Sequence, residues 1–210
     1  MTKILIADDH AIFRNGLKET LRGEFSNVTF GEARTAEEAI DRVRQRDWDI
    51  VILDISMPGK TGLEILHEMK VLRPRTPVLI LSMYPEEQFA RRAIRAGAAG
   101  YLTKESVPEE LKEAVRKTMK GGRYVSVSLA ERLATDLGRG AGAPPHERLS
   151  DREFQVLRMI ASGVTVKNIA DQLGVSVKTI STYRARVLLK TGLRSTADLV
   201  RYAVQNGLVA

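Results

Sequence analysis

A chain of 210 residues has room for one large domain or two ordinary ones, and a composition of 43% apolar and 28% charged residues is that of a globular protein in water. There is no cysteine, which excludes disulfides and thiolate metal sites, and no apolar run approaches the roughly 20 residues of a membrane span. The net charge of +7 is uneven: residues 1–120 carry 20 Lys and Arg against 19 Asp and Glu, while residues 138–210 carry 11 against 5, so the C-terminal third offers either a site for a polyanion or a solvated basic face.

The first 120 residues alternate two kinds of pattern. KILIA (3–7), NVTFGEA (27–33), DIVILD (49–54), PVLILS (77–82) and AAGYLT (98–103) are short, apolar and strand-like. Between them, Phe13, Leu17 and Leu21 recur every four residues, Thr35 and Glu38 form a capping box for the next helix, and Val107, Leu111, Val115 and Met119 repeat the helical spacing. Five β-then-α repeats predict a parallel sheet with helices on both faces, and a ligand site at the carboxyl ends of its strands. SLAERLATDL (128–137) predicts one amphipathic helix, and GRGAGAPPHER (138–148), with three Gly and two Pro, predicts a flexible linker. From Leu149 the pattern is helical: Ser150 and Glu153 make a second capping box, and Gly163, Gly174 and Gly192 mark helix stops. The expected organisation is an α/β domain over 1–120, a linker with one helix over 121–148 and an all-α domain over 149–210.

Asp8 and Asp9 follow the first strand directly and Asp54 ends the third, after the buried run IVIL. With the first strand near the sheet centre, these ends are neighbours and three carboxylates meet. Like charges so close repel unless a hard dication sits among them, and Mg²⁺ prefers oxygen ligands of this kind. For a lone Asp, helix capping is the simpler reading; for three converging ones, a metal is. Ser82 ends the fourth strand and Lys104 follows the fifth. A hydroxyl, an ammonium and a metal around one carboxylate suit a phosphoryl group, with Asp54 as the nucleophile that accepts it and the turn through Pro58 and Gly59 leaving the approach open.

Asp8-Asp9, Asp54, Ser82 and Lys104, with Pro58, Gly62 and the A-G-A-x-G-Y-L-x-K run at 96–104, resemble the receiver domain of bacterial two-component response regulators over residues 3 to about 120. The resemblance implies a five-stranded, doubly wound, flavodoxin/CheY-like α/β fold. It also implies phosphorylation of Asp54 by a sensor histidine kinase and Mg²⁺ held by Asp8, Asp9, Asp54 and the backbone carbonyl of Ser56. Ser82, Tyr101 and Lys104 would carry the switch. Met83 and Glu105 depart from the commoner receiver pattern and look like the branch that carries a LuxR-type helix-turn-helix.

The stretch VTVKNIADQLGVSVKTISTYRARVLLKTG (164–192) reads as helix, Gly turn, helix, with Ser176 as N-cap of the second helix. Ile180, Val187 and Thr191 fall on one side of it; Lys178, Thr182, Ala185 and Leu189 fall opposite, small and polar enough to approach base edges. Thr179, Arg186 and Lys190 share a flank suited to phosphates, although a small helical bundle with a solvated basic side would show the same pattern. From L-S-x-R-E (149–153) through K-T-I-S-T-Y to the last helix, the chain also resembles the LuxR/NarL-type DNA-binding domain. By position, that implies base contacts from Lys178, Ser181, Thr182 and Ala185, and backbone contacts from Thr179, Arg186 and Lys190. Leu199, Tyr202 and Ala203 make one stripe on the last helix. In this family that helix pairs with its copy, so homodimers on inverted-repeat half-sites, read in the major groove, are expected; the stripe would otherwise complete the core of the domain.

The expectation is a cytoplasmic, phosphorylation-controlled transcription factor of the NarL/FixJ type, with a histidine kinase, double-stranded DNA and a second copy as partners, RNA polymerase as a candidate partner and no membrane. Two alternatives stand beside it. One is a DNA-binding regulator indifferent to phosphate. The other is a Mg²⁺-dependent phosphatase working through an aspartyl phosphate, for which the haloacid-dehalogenase pattern would require an acid two residues after Asp54, where Ser56 stands.

Overall fold

The structure, a computed structural model, describes residues 1–57, 60, 62–127, 129–131 and 144–209. It divides into two compact units, Met1–Leu137 and Gly138–Ala210. The Pro58-Gly59 turn lies outside the described residues, as do most of the helix expected over 128–137 and residues 138–143 of the expected linker.

In the first unit the strands are β1 (Thr2–Ala7), β2 (Val28–Ala33), β3 (Ile50–Asp54), β4 (Val78–Ser82) and β5 (Gly100–Thr103). They form one sheet in the order β2-β1-β3-β4-β5, with every neighbouring pair parallel. The helices between and after them are α1 (Ala11–Arg22), α2 (Ala36–Gln45), α3 (Gly62–Leu72), α4 (Glu86–Arg95) and α5 (Val107–Met119). All five residues of β3 and of β4 are buried, as strands covered on both faces must be. Ile4, Ile6, Ile50 and Ile52 pack with Leu17 and Leu21 of α1 and with Leu111 and Val115 of α5 on one side of the sheet. Each such side chain contributes about 1.5–3 kcal/mol on leaving water.

At the start of α2 the Thr35 hydroxyl accepts from the Glu38 N–H, while the Glu38 carboxylate reaches back one residue further than expected, to the Arg34 N–H at 2.8 Å. Gly62 opens α3 under a tight constraint: a Cβ there would stand 2.2 Å from the Cα of Ile55, the residue after Asp54. Backbone cannot yield as a flexible side-chain tip can. Gly62→Ala is therefore expected to cost about 1–3 kcal/mol, read as a lowered urea midpoint of the first unit's transition.

The second unit has a 3₁₀ turn (Pro145–Arg148) followed by α6 (Asp151–Ala161), α7 (Val166–Leu173), α8 (Val177–Thr191) and α9 (Thr196–Gln205). Every one of these α-helices begins at a hydroxyl that accepts from the N–H three residues on: Ser150, Thr165, Ser176 and Ser195. At Ser150 the reciprocal bond from Glu153 completes the capping box. Gly174 and Gly192 close α7 and α8 in the left-handed conformation that glycine adopts without strain. The core joins Phe154, Val156 and Leu157 of α6, Ile169 and Leu173 of α7, Ile180 and Val187 of α8, and Leu199 and Ala203 of α9, all buried. The end of the stretch expected as linker is ordered, because Pro144 and Pro145 fix their own φ and His146 Nδ1 meets the Tyr202 hydroxyl at 2.8 Å.

Candidate functional site

Register gathers the polar residues of the first unit at one edge. Ala7 lies beside Leu53, Asp54 beside Leu81, and Ser82 beside Thr103, so Asp8, Asp54, Ser82 and Lys104 leave adjacent strands at their carboxyl ends. Strand order reverses between β1 and β3, which is where a crevice opens in such sheets.

Asp8 and Asp54 are buried, and the Lys104 ammonium bridges them, 2.6 Å from Asp54 Oδ2 and 2.6 Å from Asp8 Oδ2. Asp54 Oδ1 accepts from the Ser56 N–H at 2.7 Å, so both oxygens of the carboxylate are fixed. Burial pushes the Asp54 carboxyl above its usual range against the opposing pull of Lys104. For Lys104, burial pulls the ammonium down, but the two carboxylates outweigh it and hold it above the ordinary value. The same ammonium lies 4.6 Å over the ring of Phe13.

Asp9 and His10 sit at the rim. His10 Nδ1 is 2.8 Å from Asp9 Oδ1, and the His10 N–H donates to Asp8 Oδ1 at 2.7 Å. Ligand atoms of Asp8, Asp9, His10 and Asp54 all lie within 4.8 Å of one another. The Ser56 hydroxyl is buried among the described residues with no hydrogen-bond partner. Three carboxylates and a spare hydroxyl are an oxygen donor set, which fits a hard dication better than a thiophilic metal.

Ser82 is fully buried, and its Oγ accepts from the Tyr84 N–H at 2.9 Å. Tyr101 is turned inward, its hydroxyl donating to the Tyr84 carbonyl at 2.9 Å, and the Tyr84 ring stacks on Phe89 at 4.9 Å. The β4–α4 loop is thereby tied to both Ser82 and Tyr101. Sequence reasoning missed a support behind the pocket: buried Arg14 donates to the Asp8 carbonyl at 2.6 Å and to Glu32 at 3.0 Å, and Lys18 also donates to Glu32. The bonds from Lys18 and Arg14 hold the Glu32 carboxyl below its usual range. The available signal was a basic residue in line with Leu17 and Leu21 on the buried stripe of α1.

In the second unit, α7, the turn at Gly174 and α8 form a helix-turn-helix. Lys178, Thr182, Ala185, Arg186 and Leu189 are exposed on α8, Leu189 at 83%. The hydroxyls of Ser181 and Thr182 donate back to the carbonyls of Val177 and Lys178, each at 3.0 Å, and Ser181 is half-buried. Thr179 shares a hydrogen bond with the Ser176 hydroxyl at 2.8 Å. Lys190, expected on the phosphate flank, donates at 2.7 Å to Glu153, whose carboxylate is only 3% exposed. Arg186 has no ion pair among the described residues.

Burial raises the Glu153 carboxyl, but Lys190 and the Ser150 N–H outweigh that and leave it below its usual value. A depressed folded-state pKa contributes stability that is complete above the unfolded value of about 4.3 and is lost as pH falls through the folded one. The second unit should therefore weaken as pH falls below about 4.3, and Glu153→Gln should flatten that slope in urea titrations followed by circular dichroism.

The stripe expected on α9 lies inward: Leu199 and Ala203 are fully buried, and the half-buried Tyr202 meets His146 through its hydroxyl. The outward face of α9 carries Ala197, Arg201 and Val204.

A parallel α/β unit with a carboxylate nest at its switch point, carried on one chain with a helix-turn-helix unit, defines a two-part signal-responsive regulator. The comparisons agree: residues 4–116 match the response regulator receiver domain, and residues 147–203 match the luxR family of bacterial regulatory proteins. The chain is 35% identical to the response regulator GacA of Pseudomonas aeruginosa over 100% of its own length and 98% of the relative's. It is 32% identical to the response regulator UvrY of Escherichia coli over 99% and 96%. Among solved structures, RcsB of Salmonella enterica serovar Typhimurium, bound to promoter rprA with phosphomimetic BeF₃⁻, is similar at a TM-score of 0.65 and 27% identity, covering 97% of this chain and 99% of that one. The chain belongs to the response regulators, with a receiver domain and a LuxR-type helix-turn-helix domain. Among the described residues no helix is long and apolar enough to cross a membrane.

Proposed function

We propose that this protein is a phosphorylation-switched transcription regulator in which Asp54 takes a phosphoryl group from a sensor histidine kinase and thereby controls dimerisation and DNA binding. The observation that carries the reading is the convergence of Asp8, Asp9 and Asp54 on one crevice with Lys104 between two of the carboxylates. An oxygen of Asp54 attacks phosphorus as the bond to the donor nitrogen breaks, giving an acyl phosphate. Asp8, Asp9, Asp54 and the Ser56 carbonyl would hold Mg²⁺, which supplies charge neutralisation on the phosphoryl oxygens when bound. Lys104 moves its ammonium from the carboxylate to a phosphoryl oxygen, and the Ser82 hydroxyl donates to another. That draws on the loop through Tyr84, so Tyr101 loses its present acceptor and changes rotamer. The chain is read as a phosphoacceptor and not a turnover enzyme, since Ser56 stands where a phosphatase of this kind needs its acid.

The phosphorylated state shifts the population toward a dimer that reads DNA. In this reading α8 enters the major groove with Lys178, Thr182 and Ala185 toward bases and Ser181 beside them, while Arg186 grips a phosphate and Thr179 flanks it. Lys190 serves first as the counter-charge of Glu153 and only at its margin as a phosphate contact. Copies pair through α9 on inverted-repeat half-sites; that DNA is bound by dimers is supported by the similar RcsB, whose structures include two dimers bound to two parallel DNAs. The 1–120 and 149–210 division fits this split of labour, and the cytoplasm is where kinase output, Mg²⁺ and DNA coexist. The test is incubation of the full protein with acetyl phosphate and Mg²⁺. A single added phosphoryl group by intact mass, with tighter binding to selected DNA, supports the switch; continuous phosphate release from esters supports the phosphatase, and unchanged DNA affinity supports the phosphate-indifferent regulator.

A further inference from the structure

The opposite, amino-terminal edge of the sheet holds a second polar feature. Where Pro77 leads into β4 and Ala99 leads toward β5, a cleft of about 240 Å³ opens between the end of α3 and the turn after α5. Lys70, Arg75 and Arg123 line it, and no acidic residue among the described residues does. Several other cations in this unit answer carboxylates, as Lys18 does Glu32, Lys60 does Glu68 and Arg116 does Glu24. Arg75 and Arg123 have neither an ion pair nor a hydrogen bond among the described residues. The Lys70 ammonium, half-buried, donates among the described residues only to the Thr76 carbonyl, at 2.8 Å. Burial, and after it the neighbouring charge of Arg123, pulls Lys70 below the ordinary lysine range. Like charges set into one concave surface leave a local excess of positive potential, which an anion would relieve.

We infer that this cleft is a binding site for a small anion of the phosphate class carrying two or more negative charges, gripped by Lys70, Arg75 and Arg123. Two guanidiniums can each engage tetrahedral oxyanions through paired N–H donors, and Lys70 adds a point charge from the floor. The volume lies below the range of about 300–1,000 Å³ typical of pockets for drug-sized molecules, so the cleft admits phosphate groups without a bulky organic body. It opens at the end of the sheet remote from Asp54, so its ligand does not compete with the phosphoacceptor.

The test is titration of the ¹⁵N-labelled full-length protein with inorganic pyrophosphate in Mg²⁺-free buffer, following backbone amides by NMR. Saturable shifts centred on Gly97, Gly121 and Gly122, which line the cleft, are expected. The double variant Arg75→Gln/Arg123→Gln, altering two exposed side chains, should weaken the fitted affinity at least about tenfold, and Lys70→Gln should weaken it less. Three results would overturn the site. One is the absence of saturation by about 10 mM pyrophosphate. Another is a set of saturable shifts confined to residues 178–190, meaning capture by the helix-turn-helix face. The third is a double variant that binds as tightly as the parent protein.

Discussion

Asp54→Asn protein, incubated with acetyl phosphate and Mg²⁺, should take up no phosphoryl group, and its DNA affinity should no longer respond to the phosphodonor. The amide keeps the shape of the carboxylate and removes its nucleophile, so the loss is expected to be complete. The fold should survive. Burial already disfavours the charged form of Asp54, so a neutral isostere relieves desolvation while giving up one charged hydrogen bond, worth about 1.5–3 kcal/mol. A thermal midpoint near or above that of the parent protein would accompany the lost labelling; full labelling by intact mass would remove Asp54 from its assigned role.

Lys104→Met separates accepting the phosphoryl group from responding to it. It leaves the buried Asp8 and Asp54 facing each other with ligand atoms within 4.8 Å and no ammonium between them. At an effective dielectric constant near 20 that repulsion is about 3 kcal/mol. The variant should therefore bind Mg²⁺ more tightly, by about tenfold or more, and still be labelled, yet fail to pass the signal to DNA. Calorimetric titration with Mg²⁺ and a DNA-shift assay read the two effects separately.

The second large effect is expected on α8. Ala185 is exposed on the face assigned to the bases, and Ala185→Glu places a carboxylate there without disturbing a core contact. Glutamate is a good helix former, so circular dichroism and melting should stay within about 0.5 kcal/mol of the parent. Specific DNA binding should fall at least about a hundredfold, because a bulky anion replaces a methyl group against a polyanion and displaces the base contacts of its neighbours. Arg186→Ala, by contrast, should weaken all sequences alike and reduce the salt slope by about one unit. An Ala185→Glu protein that still binds its selected sequence normally would exclude α8 as the reading helix.

What the sequence made legible follows from how local each signal is. The five strands and the Ser150 capping box were readable because apolar runs and caps are decided within a few residues. Asp8, Asp54 and Lys104 were readable because they stand at strand ends, and a parallel sheet brings those ends together whatever the details of packing. The Arg14–Glu32 support was not, since it joins α1 to β2 through side chains whose meeting depends on tertiary placement. The ion pair of Lys190 was hidden for the same reason. Its position along α8 suggests a phosphate contact, and nothing local reveals that Glu153, 37 residues earlier, is buried beside it. The stripe Leu199, Tyr202 and Ala203 is apolar on the helix, but periodicity cannot say whether an apolar face meets its own domain or another copy.

Because Ser150, Thr165, Ser176 and Ser195 each open a helix with a bond closed inside one turn, the C-terminal unit has the start of every one of these helices marked by its own neighbourhood. Chains governed by short-range instructions mature quickly. In a compact unit of its own, that speed would let the module assemble without waiting for the sensory half.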